Sequence, residues 1–398
     1  MLRFYVPHFP LDLRMAFSSQ KKGTSTMKKF NYIFLTLAIL LFVTGCGKAI
    51  YLENQQFVLT EAIDFDENNK LIVFTTTPVF NKEATDRYKI TSTTAKTMRK
   101  SKGEIDSKTS GTLAYGKSQN VLIGKKLLQD RNAFPYLDVL FRDSRNEINA
   151  NVIVVDGTIK ELMYTNMSDK GIISNVIKQL LESTYKSRIT VQTSLQQFHQ
   201  QMKDKGMTPT LTEMKVEKND LVISGTVLLH KDGTYATSLN HQESSLLLLL
   251  QRNVSNPLPL TFHLPPEMFH TDEKLSYVSF NIKKANPKIK ANFEGGELTI
   301  DIKMKVQIDL TERTFDLNLD EKKKQLEQVI EKELKKECEA LIKKAQKYQV
   351  DPFQFGVHVR AYQNKDWKKV EDNWGKALSE ATVNVSPKVI IKSIGVSE

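Results

Sequence analysis

The chain is poor in cysteine, with two in 398 residues, Cys46 and Cys338. That excludes a disulfide scaffold and a four-cysteine zinc site. Its seven histidines form no HExxH, and His263 and His270 stand too far apart to be paired ligands on one helix turn, so no metal is expected. No Gly-x-Ser-x-Gly elbow occurs, and acidic pairs such as Asp64/Asp66 and Asp316/Asp320 have no spacing specific to acid–base chemistry. Catalysis and cofactors have no positive signal, and the chain reads as non-enzymatic. Its one signal-like apolar run is eleven residues long, short of the ~20 that cross a bilayer as a helix.

What is present points to folded domains. Forty per cent of residues are hydrophobic and 26% charged, enough to bury cores and too apolar for general disorder. The length suits two or three domains. The apolar run, 33–43, follows a basic start at Met27-Lys28-Lys29 and ends in Val43-Thr44-Gly45-Cys46. This is the pattern of a bacterial lipobox: small residues fit a signal-peptidase cleft, and the cysteine thiol accepts a diacylglyceryl group. Residues 1–45 are therefore expected to be a signal peptide, with 1–26 a mis-called upstream start and Cys46 the lipid attachment site. The remaining 353 residues carry a net charge of +6. Most of it lies in 80–131, where twelve Lys/Arg meet five Asp/Glu. Such a segment is either a solvated face or a patch for anionic headgroups. Nucleic acid is not an expected partner of an exported chain.

Hydrophobic periodicity orders the rest. Strands are expected at 57–64 and 71–78, joined by the Asp66-Glu67-Asn68-Asn69 turn, then at 120–124 and 151–156. Helices are expected at 135–142, 169–186 and 194–205, with a domain boundary at Met207-Thr208-Pro209. A hairpin at 221–230 and 234–239 precedes a short leucine-rich helix, after which Pro257, Pro259, Pro265 and Pro266 break up the chain. Strands 277–284 and 288–293 lead through Gly295-Gly296 to 298–310, which alternates apolar and polar residues without a fault. A helix follows from Asp320, the expected N-cap, to Lys347, with a last strand at 382–394. The expected fold class is α+β. It has three mixed domains, 46–206, 207–266 and 267–398, of largely antiparallel sheets flanked by helices.

One motif invites a nucleotide. Gly111-Thr112-Leu113-Ala114-Tyr115-Gly116-Lys117-Ser118 satisfies the Walker A pattern, and Val152–Asp156 resembles a Walker B strand. A P-loop needs a buried strand before it and a helix after it. Here polar, turn-like residues precede and a strand follows, so the order is inverted and nucleotide binding is not expected. His199, beside Leu195, Phe198 and Met202, reads as packing, and Cys338, on the apolar stripe of the long helix, as a buried thiol.

The C-terminal third carries a more specific signal. Asp351-Pro352-Phe353-Gln354-Phe355-Gly356, Trp367, Trp374, Val383-Asn384-Val385 and Ile391 to Gly395 follow one another in a pattern that resembles the Ger(x)C lipoproteins, the C-subunit family of bacterial spore germinant receptors. So do the block 136–143 with Asn149-Ala150 and Asp156-Gly157, and the hairpin 225–239 with Glu243. Two departures stand out: Gly47-Lys48-Ala49-Ile50-Tyr51 replaces a Trp-Asp-Arg-Arg-Glu-like stretch, and Gln354 a glycine. The resemblance implies three mixed domains and a palmitate-type lipid anchor holding the chain to the outer face of the spore inner membrane. It also implies assembly with a polytopic A subunit and a membrane-embedded B subunit in a receptor that senses nutrients. Pro352, Phe353, Phe355, Trp367 and Trp374 are candidates for a partner interface, although aromatics at a proline turn more often belong to a core. The rival reading is a solute-binding lipoprotein of a transporter, whose lobes would alternate strand and helix around parallel sheets.

Overall fold

The computed structural model describes residues 55–393, apart from 82, 131–133, 143–145, 166–170, 255–256 and 269–272. The signal peptide, Cys46, His270 and Gly395 lie outside the described residues. The first half runs β1 (Gln55–Phe57), β2 (Thr60–Phe65), β3 (Leu71–Pro78), β4 (Tyr88–Thr94), α1 (Met98–Asp106), β5 (Thr112–Ala114), β6 (Asn120–Gly124), α2 (Lys125–Asp130), α3 (Phe134–Arg142), β7 (Asn151–Asp156), α4 (Ile159–Met163), α5 (Ile173–Lys186) and α6 (Leu195–Lys203). It continues with β8 (Thr210–Glu217), β9 (Asp220–Leu229), β10 (Tyr235–Leu239) and α7 (His241–Leu250). The second half runs β11 (Leu258–His263), β12 (Tyr277–Ala285), β13 (Lys288–Glu294), β14 (Glu297–Arg313), α8 (Leu319–Lys347), α9 (Phe355–Tyr362), α10 (Asn364–Val370), α11 (Trp374–Glu380) and β15 (Thr382–Ser393).

Eight strands form one mixed sheet in the order β10-β9-β8-β7-β6-β2-β3-β4. Its flanks are antiparallel, but β2, β6, β7 and β8 are parallel neighbours. The fold class is α+β as expected, with this parallel block set between antiparallel flanks. The block follows from helices that cross over between β6, β7 and β8 and cover both faces. One face packs Ala62, Leu122 and Ile153 against α4 and α5. The other packs Ile63, Val121, Ile123 and Val154 against α1, α2, α3 and α6. Strands covered on both sides have no wet face, which is why β6 and β7 read as short unbroken apolar runs. The sheet also runs through residue 206: β8 to β10, from 210–239, pair directly onto β7.

The second half is built on β14. Leu298, Ile300, Ile302, Met304, Val306, Ile308 and Leu310 are all buried, as the alternation requires. β12 and β13, interrupted at Asn286-Pro287, both pair antiparallel to one edge of β14, and β15 pairs parallel to the other. Pro259 sits within β11, where it is tolerated because β11 is an edge strand, bonded among the described residues only to β12. The N-cap of α8 is Asn318, which accepts from Asp320 N at 3.1 Å, and not Asp320 as expected. Along α8, Glu327, Glu331 and Glu339 accept from the backbone N–H groups of Ile391, Val389 and Val385 at 2.8, 2.9 and 3.4 Å. The helix rise of about 1.5 Å per residue matches four helix residues to two strand residues, so each carboxylate meets a free N–H of the edge strand. The outer edge of β15 is thereby closed to another strand. The five leucines of α7, Leu246 to Leu250, are 0–1% exposed, which makes this helix buried on every side.

Candidate functional site

Two stretches far apart in sequence, 204–208 and 351–360, are clamped together. Asp204 takes a bidentate ion pair from Arg360 at 2.8 and 2.9 Å and accepts from Gly206 N at 2.8 Å. Burial pushes the Asp204 carboxyl up, but those donors outweigh it and hold it below its ordinary range. Val357 N donates to Gly206 O at 3.1 Å, and Thr208 N to Asp351 O at 2.9 Å. Gln251 Nε2 donates to Pro352 O at 2.7 Å. Lys231, from the β9–β10 turn, donates to the carbonyls of Gln201, Asp204 and Met207. Burial pushes its ammonium down to about 8. The backbones meet at Gly206 and Gly356. A Cβ on Gly356 would come within 2.8 Å of Gly206 Cα and 2.7 Å of Trp374 Nε1, so neither side has room for a side chain.

Asp351 organises this clamp. It is fully buried, and its carboxylate accepts from Phe353 N at 3.1 Å, Phe355 N at 3.2 Å, Gly356 N at 2.8 Å and Trp374 Nε1 at 2.8 Å. Burial pushes the carboxyl up to about 6, while the four donors pull it back toward the charged form. A group facing only donors is an ionised acceptor at neutral pH. Gln354 carries φ +67, ψ 30, the left-handed conformation that a glycine adopts without cost.

Of the two readings of the aromatic residues named as interface candidates, their burial fits the core. Pro352 is buried, and Phe353, Phe355, Trp367 and Trp374 are at most 4% exposed. The rings of Phe353 and Phe355 lie 5.0 Å apart, and those of Trp367 and Trp374 5.2 Å apart. They are core, packed under the Asp351 turn, and present no surface to a partner. Asp204, Arg360 and Lys231 went unnoticed in the sequence. Nothing in one chain pairs Asp204 with a cation 156 positions away.

The Walker-like loop has the geometry of an ordinary connection. It leaves helix α1, forms the short strand β5 and enters β6, with Lys117 exposed, so no strand–loop–helix cradle exists. Close by lies a second buried acid. Glu61 on β2 is 1% exposed, and neither carboxylate oxygen has a hydrogen-bond partner among the described residues. Burial raises its pKa, which the Lys102 charge only partly offsets. The Tyr115 hydroxyl is also buried without a partner, and burial, Glu61 and Asp106 raise its pKa in turn. Lys102 Nζ stands 3.6 Å from the centroid of the Tyr115 ring.

The other flagged groups are structural. Cys338 is fully buried, and burial with Glu337 and Glu339 pushes its thiol up to about 12. His199 stacks on Phe134 and packs at a tilt against Phe141. Asp64 faces the backbone of Gly124 and accepts from Phe65 N, whereas Asp66 caps the β2–β3 turn through Asn68 N and Lys70 N, so the two carboxyls do not act together. Asp316 and Asp320 are exposed. Lys125 bridges Glu213 at 2.9 Å and Asp156 at 3.3 Å, and Ser238 donates to Glu213 at 2.7 Å, a polar network that joins the ends of β6 and β7 to the middle of β8. Among the described residues no group of three or more His, Cys, Asp or Glu could hold a metal, and no helix is long and apolar enough to cross a membrane.

Comparison with known proteins gives this arrangement a context. Residues 48–216 match the family described as "Spore germination protein N-terminal domain", and residues 224–395 that described as "Spore germination B3/ GerAC like, C-terminal". The chain is 24% identical to spore germination protein GerQC of Bacillus cereus over 345 residues, covering 85% of this chain and 92% of the relative. It is 21% identical to the putative spore germination protein YfkR of Bacillus subtilis strain 168 over 392 residues, covering 93% and 98%. The crystal structure of the GerBC protein shares the fold, with a TM-score of 0.53 and 18% identity, covering 83% of this chain and 96% of that one.

Proposed function

This chain belongs to the Ger(x)C family of spore germination proteins, and we propose that it is the C subunit of a nutrient germinant receptor. In this reading Cys46 carries the lipid that holds it to the outer face of the spore inner membrane. It works by assembling with the membrane-embedded A and B subunits and catalyses no reaction. The observation that carries the reading is the matching of both family domains, in order, over 48–216 and 224–395 of one chain. The lipobox ending at Cys46 supports the anchor. The clamp supports a rigid adaptor: Asp351 and Asp204 spend their hydrogen bonds on this chain's own backbone and side chains, not on an open site.

The rival, a transporter's solute-binding lipoprotein, gains something from the parallel β2-β6-β7-β8 block. It predicts a second lobe of the same kind, however, and the β11–β15 sheet is antiparallel except at β15. Spores lacking the chain, complemented with the wild type or with Cys46→Ala, test the proposal. Loss of nutrient-triggered germination without the chain, and its failure to return with Cys46→Ala, is expected. Unchanged nutrient response in the deletion strain, with uptake of one solute impaired, would favour the rival.

A further inference from the structure

The chain enters the eight-stranded sheet beside its most exposed large apolar side chain. Leu59 N donates to Thr76 O and Val58 N to Ala114 O, so β1 lies near the end of β3 at Pro78. Two residues on, Phe80 is 79% exposed, the highest value for a large hydrophobic residue among those described. Val79 N donates to Arg87 O at 2.9 Å, so Phe80, Asn81 and residues 83–86 lie at the tip of the β3–β4 hairpin. Arg87 and Lys89 are exposed at its base, and Lys117 is exposed in the turn after β5, the strand that pairs with β1. Glu83 and Asp86 lie on the tip itself, so its attraction to a surface is chiefly apolar, with the cations behind it. Across a cleft of about 890 Å3, Tyr164 is 58% exposed.

Chain length decides what meets this tip. Eight residues, 47–54, separate the lipobox cysteine from Gln55, and fully extended they reach roughly 30 Å. As a flexible chain they span about 16 Å on average, less than the length of the strands, so a lipid on Cys46 keeps the edge holding Gln55, Pro78 and Phe80 the nearer to the bilayer. The turn at 66–69, at the other end of β2 and β3, stands roughly 20 Å further along the strands. We infer that the β3–β4 tip is a membrane contact. Phe80 enters the interfacial layer of the bilayer, and Arg87, Lys89 and Lys117 lie over anionic headgroups. The inference rests on the lipid-anchor reading and adds to it the face that the folded part turns to the membrane.

The test places a tryptophan at each end of the sheet. Lipidated full-length protein carrying Phe80→Trp, or Asn68→Trp as the distal control, is reconstituted into vesicles of phosphatidylcholine and phosphatidylglycerol with or without brominated acyl chains. Trp367 and Trp374, 1% and 4% exposed, provide a constant background. The expected result is a blue-shifted emission for Phe80→Trp and at least threefold stronger bromine quenching than for Asn68→Trp. Vesicle flotation separates the two claims. Protein that floats while Phe80→Trp is quenched no more than Asn68→Trp overturns the contact, leaves the anchor standing and turns the tip over to a protein partner. Protein that does not float overturns the anchor, and the contact falls with it.

Discussion

The two halves of the molecule each bury an acid, and they treat it in opposite ways. Asp351, in the second half, is met by three backbone N–H groups and an indole N–H. Glu61, in the first, has no hydrogen-bond partner among the described residues. The contrast extends beyond the two acids. Buried side-chain oxygens without partners gather at Gln56, Glu61, Thr91, Tyr115, Ser118, Gln119 and Asn120, while none falls beyond Thr208 among the described residues. The second half surrounds its most deeply buried carboxylate with donors, pairs the buried Glu333 with Lys336, and otherwise packs its core with aliphatic and aromatic side chains. The first half leaves polar atoms inside a helix-covered sheet. An unsatisfied buried group costs about 1–3 kcal/mol, so the second half is expected to be the firmer of the two.

Substitution at Asp351 should break the contrast most. Asp351→Ala strands four buried donors, and a loss of about 3–5 kcal/mol is expected, measured by denaturant unfolding with both tryptophans reporting. A loss under 1 kcal/mol would mean that the turn is not held by its carboxylate. Next comes Gly356→Ala, which forces a methyl against Gly206 and Trp374. About 2–3 kcal/mol should be lost, as for other overpacked sites, with the Trp374 emission shifting as its indole is displaced.

How much of this was legible in the sequence divides along the same line. The strand from Leu298 to Leu310 and the helix to Lys347 were readable, because each has one buried face and the periods of two and 3.6 show through. β4 was not. Its sequence, Tyr88 to Thr94, is mostly threonine, serine and lysine, because an edge strand buries little and its polar side chains mask the pairing. The helix α1 beneath it was also missed, as its buried side is only Met98, Ser101 and Ile105. The parallel order of β2, β6, β7 and β8 depends on crossovers that no local pattern records. At the clamp, the motif around Asp351 was visible, and its aromatic residues read as core more readily than as surface, though their spacing alone gives no reason. Only the backbone shows why: the carboxylate draws the turn inward and the rings follow it. The glycine that resembling proteins place at Gln354 is explained by its positive φ.

Two smaller effects sharpen the comparison. Both buried carboxyls are raised above their unfolded values, so the folded state holds their protons more tightly. Their contribution favours folding below the ordinary carboxylate range. It is lost as pH rises through the folded values, for Asp351 through about 6. Glu61→Gln cannot ionise, and a gain of about 1–2 kcal/mol at pH 7 is expected. The gain should vanish toward pH 4, which unfolding at both pH values measures; a pH-independent change would show that the charge is not the cause. Gln354→Gly relieves a left-handed residue and should stabilise by about 0.5–1 kcal/mol, seen as a small rise in Tm, whereas Gln354→Val should lower it.

In the proposed receptor the chain works by assembly. The most direct measurement is affinity purification of a C-terminally tagged chain from detergent-solubilised spore membranes, with the partners identified by mass spectrometry. Recovery of a polytopic germination subunit together with a second membrane-embedded one, undiminished by salt, is expected. Recovery of a transporter permease, or of no membrane protein at all, would contradict this assembly.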